Sequence, residues 1–228
     1  MFDIDRFVAV CRAALMERGS DAIREVVRRA VSEPGDIIAA LGEQTGAFAG
    51  ILVRASDLTI LNVVWGARQW TLPHNHHHRA IIGMYGGGED NIYWRRLPND
   101  AKGRVEATGA ASLRRGDVTV LGRDIIHSVT NPLDKLSYAL HVYDGDFMAA
   151  EGKRCWDAET LAELPYDGPA VSPMFVVRPS RPYKAGQGPA PRHQRPRSGY
   201  PSKETRQPSA IRTTLAHGPV SRWRERAK

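Results

Sequence analysis

Cysteine is scarce: the 228 residues carry two, Cys11 and Cys155. They form neither a disulfide framework nor a metal-binding Cys pair, and a reducing compartment is expected. No apolar run reaches the length of a membrane span, and the opening "MFDIDRF" is acidic where a secretion signal would be apolar. The expectation is a soluble, cytoplasmic protein without a membrane partner. Acidic residues are missing from one region: from Arg178 to Lys228, 2 Asp+Glu stand against 13 Lys+Arg, with 8 of the 15 prolines. The net charge of +7 therefore belongs to this tail, and the rest of the chain has a slight acidic excess. With few apolar residues to bury, the tail is expected to be disordered. It holds no aromatic pattern or RNA motif beyond scattered Tyr183, Tyr200 and Trp223. A nucleic-acid partner is not expected, weak polyanion contact being the alternative.

What remains divides in two by texture. Phe7, Val10, Cys11, Ala14 and Leu15, then Ile23, Val26, Val27, Ala30 and Val31, recur at helical spacing on either side of Gly19 and Ser20, and a third helix is expected near Ile37 to Leu41. From Ile51 the runs "ILVRAS", "LTILNVVW", "RAIIGMY", "NIYWRRL", "DVTVL", "IHSVTN" and "YALHVYDG" are short, β-branched and aromatic, separated by Gly, Pro, Asn or Asp. Such a series predicts a sandwich or small barrel of antiparallel hairpins, capped at its N-terminal end by the helices. The expected organisation is a helical cap over 1–45, a β domain over 46–177 and the basic tail over 178–228. "GGGEDN" (86–91) reads as a tight β-turn: it lacks the Lys of a phosphate loop, and its acids would repel phosphate.

All six histidines outside the tail lie in the β region: His74, His76, His77, His78, His127 and His141. Along a strand His74 and His76 project from one face, roughly 7 Å apart, and can converge on a single divalent ion. His127, in the strand-like "IIHSV", is the candidate third ligand from a neighbouring strand. By parity His77 faces away, and His78 lies too far along an extended strand to join His74 without a bulge.

These residues carry a resemblance. "RRGDVTVLGRDIIHSVTN" is similar to the second cupin motif, with Gly116, His127 and Asn131 in register and Gly122 and Asp124 in place of its Pro and Gly. The first motif, His-x-His followed by a Glu and a Gly, fits His74, His76 and Gly87 or Gly88, but Ala80 or Ile81 takes the Glu position. Three histidines without a carboxylate resemble the cupin-like thiol dioxygenases. "TLPHNHHHRAIIGMYGG" looks like the segment around their His-x-His pair, and "ALHVYDG" is similar to their "SxHxY" relay, with Ala139 in place of the serine. The resemblance spans roughly 51 to 147.

It implies a mainly β, cupin-type double-stranded β-helix (a small jelly roll) with short N-terminal helices. It further implies Fe2+ on His74, His76 and His127, a small thiol and O2 as reaction partners, and a sulfinic acid as product. Tyr143, oriented by His141, would act beside the metal. Ile81 stands where a tyrosine crosslink would need cysteine. Arg54 resembles in its place the clamp for the substrate carboxylate, since a planar guanidinium binds a carboxylate through two hydrogen bonds. Arg79, Arg95 and Arg96 are alternatives. Other divalent ions also accept three imidazoles. A cupin metalloenzyme with a different reaction, or a non-enzymatic ligand-binding cupin, therefore stays open beside the dioxygenase.

Overall fold

From Thr59 to Tyr143 the chain is one antiparallel ribbon folded back on itself. The computed structural model describes residues 1–18, 20–171 and 176–179. Helices α1 (Ile4–Arg18), α2 (Ser20–Ser32) and α3 (Pro34–Leu41) come first. Strands β1 (Phe48–Arg54), β2 (Thr59–Trp65), β3 (His74–Asn75), β4 (Ala80–Gly86), β5 (Gly88–Arg96), β6 (Val105–Arg114), β7 (Val118–Leu121), β8 (Ile126–Thr130) and β9 (Ser137–Tyr143) follow. Then come β10 (Arg154–Trp156), β11 (Glu163–Pro165), the short helix α4 (Gly168–Val171) and β12 (Val176–Pro179).

The pairing is nested: β5 with β6, β4 with β7, β3 with β8 and β2 with β9. Ladders from β4 to β9 and from β5 to β8 join successive turns of the ribbon. Two six-stranded sheets result, in the orders β12-β1-β2-β9-β4-β7 and β11-β10-β3-β8-β5-β6. This is the double-stranded β-helix of the cupin type, mainly β as the strand-like runs predict.

Continuous apolar runs in β2 and β4 reflect burial on both faces of the first sheet. Alternation sends Leu61, Val63, Trp65, Ala80, Ile82, Met84, Ala139 and Tyr143 into the sandwich. Ile60, Ile81, Tyr85, Leu140 and Val142 point outward and pack with Phe7, Cys11, Ile23, Val27 and Val31 of the helices. The helices thus cover a face of the sandwich, where the order of elements along the chain predicts a cap at its N-terminal end. Gly83, midway along β4, permits this: a side chain there would collide with Val27 and come within 2.9 Å of Val31.

Each of the seven strand-like runs forms a strand. The Gly-rich segment differs from the expected turn. Only Gly87 turns (φ 71°), where a side chain would overlap Ser137. Gly88 to Asn91 already belong to β5, so Glu89 and Asn91 are buried rather than at a loop tip. β12 pairs parallel with β1 and keeps Arg178 and Pro179 in the sheet, opposite Gly50 and Ile51. The expected disorder beyond them concerns residues outside those described. Among the described residues, no helix is long and apolar enough to cross a membrane.

Candidate metal centre

His74 on β3 lies directly opposite His127 on β8, so the two side chains leave the same face of the ladder. β3 ends after two residues, and at His77 the backbone turns through a left-handed conformation (φ 56°). His76, just past the strand, still swings its ring to the other two. Its Nε2 lies 3.1 Å from the Nε2 of His74 and 3.1 Å from that of His127. Nitrogens about 2.1 Å from a common centre and at right angles there would be about 3.0 Å apart, which matches this spacing. Among the described residues these three form the one His/Cys/Asp/Glu group compact enough to hold a metal ion, with ligand atoms within 4.8 Å of one another and no carboxylate among them.

Hydrogen bonds aim the rings. His74 Nδ1 lies 2.9 Å from the carbonyl of Leu72, and His127 Nδ1 lies 2.8 Å from Asn91 Oδ1. Both acceptors require Nδ1–H, which leaves the Nε2 lone pairs of His74 and His127 bare. His76, whose Nδ1 is buried without a partner, can set at most one proton between them. One of the two 3.1 Å contacts is then lone pair against lone pair, and a central cation relieves it. Burial holds His74 down to about 4 and, with the neighbouring imidazoles, keeps His76 and His127 well below the usual imidazole range. All three are neutral ligands at neutral pH. The donor set fits a divalent metal ion.

Beside the cluster, Tyr143 Oη lies 3.2 Å from His141 Nδ1. Tyr143 meets His76 edge to face at 5.3 Å and stacks on Phe147 at 4.3 Å. Burial raises the Tyr143 phenol far above its usual range and lowers His141 to about 3, so both are neutral. His141 Nε2 is buried with no partner, and Ala139, on the same face, offers none. Ala80 and Ile81 are both buried and apolar.

Arg54 is placed differently from a clamp. Its side chain is 49% exposed and its guanidinium holds Asp146 at 3.0 Å. Arg95 pairs with Glu106, and Arg96 with Glu163. His78 sits 3.6 Å from Asp144, and His77 stays outside the cluster. Among the described residues, the cation that the cluster feels is Lys153, whose charge disfavours protonation of His74 and His76. Its Nζ lies over the rings of Phe147 (4.4 Å) and Tyr166 (4.6 Å) and donates to the Phe147 carbonyl at 2.8 Å. Burial lowers its pKa. No sequence pattern marks this lysine.

A chain of buried groups backs His127. Asn91 Nδ2 donates to Glu89 Oε1 at 2.9 Å, and Trp65 Nε1 donates to Glu89 Oε2 at 3.0 Å. Glu89 is fully buried, which raises its carboxyl to about 7. Period-2 alternation from His127's neighbour strand could have flagged Glu89 and Asn91 as one inward face, had "GGGEDN" not read as a turn.

No protein-family model matches the sequence. No curated protein matches it significantly. Among solved structures, an RmlC-like cupin family protein with a double-stranded β-helix fold from Methanocaldococcus jannaschii aligns over 47% of this chain and 87% of its own, at 9% identity and a TM-score of 0.39. Oxalate decarboxylase from Bacillus subtilis aligns over 43% of this chain, at 18% identity and a TM-score of 0.34; the alignment spans 23% of the decarboxylase. A recombinant oxalate oxidase in complex with glycolate aligns over 42% of this chain and 45% of its own, at 15% identity and a TM-score of 0.33.

Proposed function

We propose that the protein is an iron-dependent enzyme resembling the thiol dioxygenases, adding both atoms of O2 to the sulfur of a small thiol (RSH + O2 → RSO2− + H+). The observation that carries this reading is the buried cluster of three imidazoles, free of carboxylate, with a neutral Tyr143–His141 pair at its side. Three neutral ligands leave the charge of a dipositive ion uncompensated and favour an anionic substrate such as a thiolate. Ferrous iron, when bound, would supply a Lewis-acidic centre for thiolate and O2 and the electron transfer between them.

The remaining roles belong to the chain. His74, His76 and His127 hold the metal. Tyr143, kept protonated by burial, donates a hydrogen bond toward the reacting atoms, and His141 fixes the direction of its hydroxyl. Lys153 meets the anionic end of the substrate in place of Arg54. Arg54 instead anchors Asp146, next to the Phe147 that stacks on Tyr143. A reducing cytoplasm, where small thiols abound, suits this reading.

The test is metal analysis combined with O2 uptake by the full chain loaded with Fe2+, offered cysteine, 3-mercaptopropionate and cysteamine. Uptake matched one for one by sulfinate in the mass spectrum is expected with at least one of them. A protein that holds one equivalent of iron and consumes no O2 with any of the three overturns the reading. That result would point to another cupin reaction or to a ligand-binding role.

A further inference from the structure

We infer that Glu89 sets the tautomer of His127 through the side-chain amide of Asn91, so that Glu89, Asn91 and Trp65 act as a positioning relay for the metal centre. The inference rests on the reading of the three histidines as a metal site and is independent of the reaction catalysed there.

The two outer ligands solve the same problem by different means. A ligand whose Nε2 faces the metal must carry its proton on Nδ1 and needs an acceptor there. His74 uses the Leu72 carbonyl, which is acceptor only and cannot turn round. His127 uses the amide of Asn91, 2.8 Å away, and an amide presents either an acceptor or a donor depending on its flip. Something must choose. Glu89 does so, because an ionised carboxylate only accepts: it requires the NH2 of Asn91 on its own side, 2.9 Å away, and so turns Oδ1 to His127. Trp65 Nε1, a donor only, takes the other carboxylate oxygen at 3.0 Å. Every contact in the series Trp65–Glu89–Asn91–His127 then pairs one donor with one acceptor, and no other arrangement of an ionised Glu89 achieves this. Glu89 and Asn91 are each 0% exposed, so water does not relax the requirement. Among the described residues no Lys or Arg pairs with Glu89 in its hydrogen bonds, and a buried carboxylate held by neutral donors alone is costly. Orientation of the ligand is the return on that cost.

Glu89→Gln reverses the relay without changing its shape. Trp65 still demands an acceptor, so the glutamine turns Oε1 to the indole and its NH2 to Asn91. Asn91 must then flip, pointing NH2 at His127 Nδ1, which forces the proton onto Nε2. Long-range 1H–15N spectra of the metal-free full chain at pH 8 are expected to show His127 protonated on Nδ1 in the wild type and on Nε2 in E89Q. In competition with a chelator, E89Q is expected to bind Co2+ about 10- to 100-fold more weakly. Adding Trp65→Phe to E89Q removes the donor that fixes the glutamine and is expected to let the Nδ1–H form return in part. E89Q with a wild-type tautomer and unchanged Co2+ affinity overturns the proposal; a lowered melting temperature alone, with both readouts unmoved, makes Glu89 structural only and overturns it equally. Should E89Q fail to fold, Asn91→Leu removes the acceptor at nearly constant volume, and Co2+ affinity equal to wild type overturns the relay. A flipped tautomer in a protein that oxidises no thiol leaves the relay standing and removes the dioxygenase reading.

Discussion

Ala80 on β4 stands directly opposite Tyr143 on β9, with both side chains on the interior face of the sheet. Ala80 is one of the two residues at the position where the cupin motif carries its glutamate. Tyr143 in turn meets the His76 ring edge to face at 5.3 Å. Tyr143→Phe keeps the stacking on Phe147 and removes only the hydroxyl. It is expected to retain metal affinity within about 3-fold while slowing thiol oxidation by roughly 100-fold, the usual scale for a positioned proton donor. Metal titration alongside steady-state O2 uptake separates the two effects; an unchanged rate would remove Tyr143 from the chemistry.

Lys153→Met should act on substrate choice. The methionine fills the space between Phe147 and Tyr166 but leaves an anion unmatched. KM for cysteine and 3-mercaptopropionate is expected to rise about 10-fold or more, as for loss of one charge-assisted hydrogen bond, with cysteamine, which has no carboxylate, little affected. Arg54→Ala breaks a surface pair with Asp146, for which little change in stability is expected. Equal KM shifts across the three thiols in Lys153→Met would assign the lysine to packing.

Metal binding should register in the melting curve. With free Co2+ at about 100 times its dissociation constant, the wild type gains about 2.7 kcal/mol of stability. His127→Ala takes one of three ligands and leaves Asn91 Oδ1 without its donor, so its melting temperature is expected to be lower without metal and unmoved by it. A rise equal to wild type would show that the ion sits elsewhere.

Acid should weaken the metal-free fold. Folded values of about 4 for His74 and about 3 for His141, with His76 and His127 also well below normal, lie under the unfolded value near 6.5. The stability they contribute is complete above pH 6.5 and is lost as pH falls toward their folded values, at up to about 1.4 kcal/mol per group and pH unit. Glu89, raised to about 7 from 4.5, works in the opposite direction between those values. Four groups outweigh one. Urea midpoints measured with chelator at pH 8, 6 and 5 are expected to fall steadily below pH 6.5; a flat profile would contradict the burial of neutral imidazoles.

The three-histidine cluster was legible because the His-x-His spacing and the spacing of a cupin motif pick out His74, His76 and His127, although β3 ends at Asn75 and His76 reaches the other two from just past the strand rather than by alternation along it. The strands around them were legible from β-branched runs. β6 was not: "VEATGAASLR" is rich in Ala and Gly, and most of its residues are exposed, so it lacks the apolar signal of a buried strand. Glu89 and Asn91 were hidden by three adjacent glycines, of which only Gly87 needs its conformational freedom. Lys153 could not be read at all, because its place beside His74 and His76 is created by the fold and by no local pattern.

The nested pairing also imposes a history on every molecule of this protein. β5 and β6 can meet through a short connection, whereas each ladder farther out must close a longer loop before its contacts compensate the entropy lost. His74 and His127 come together only on the third ladder of the ribbon, β3 with β8, and His76 follows from just past β3. The expectation is that a folding chain offers no three-histidine site to a metal ion until the ribbon has largely zipped. Stopped-flow refolding is expected to proceed at the same rate with and without metal, while unfolding slows when metal is present. On this order of events, an ion bound at the cluster would lock a shell already finished.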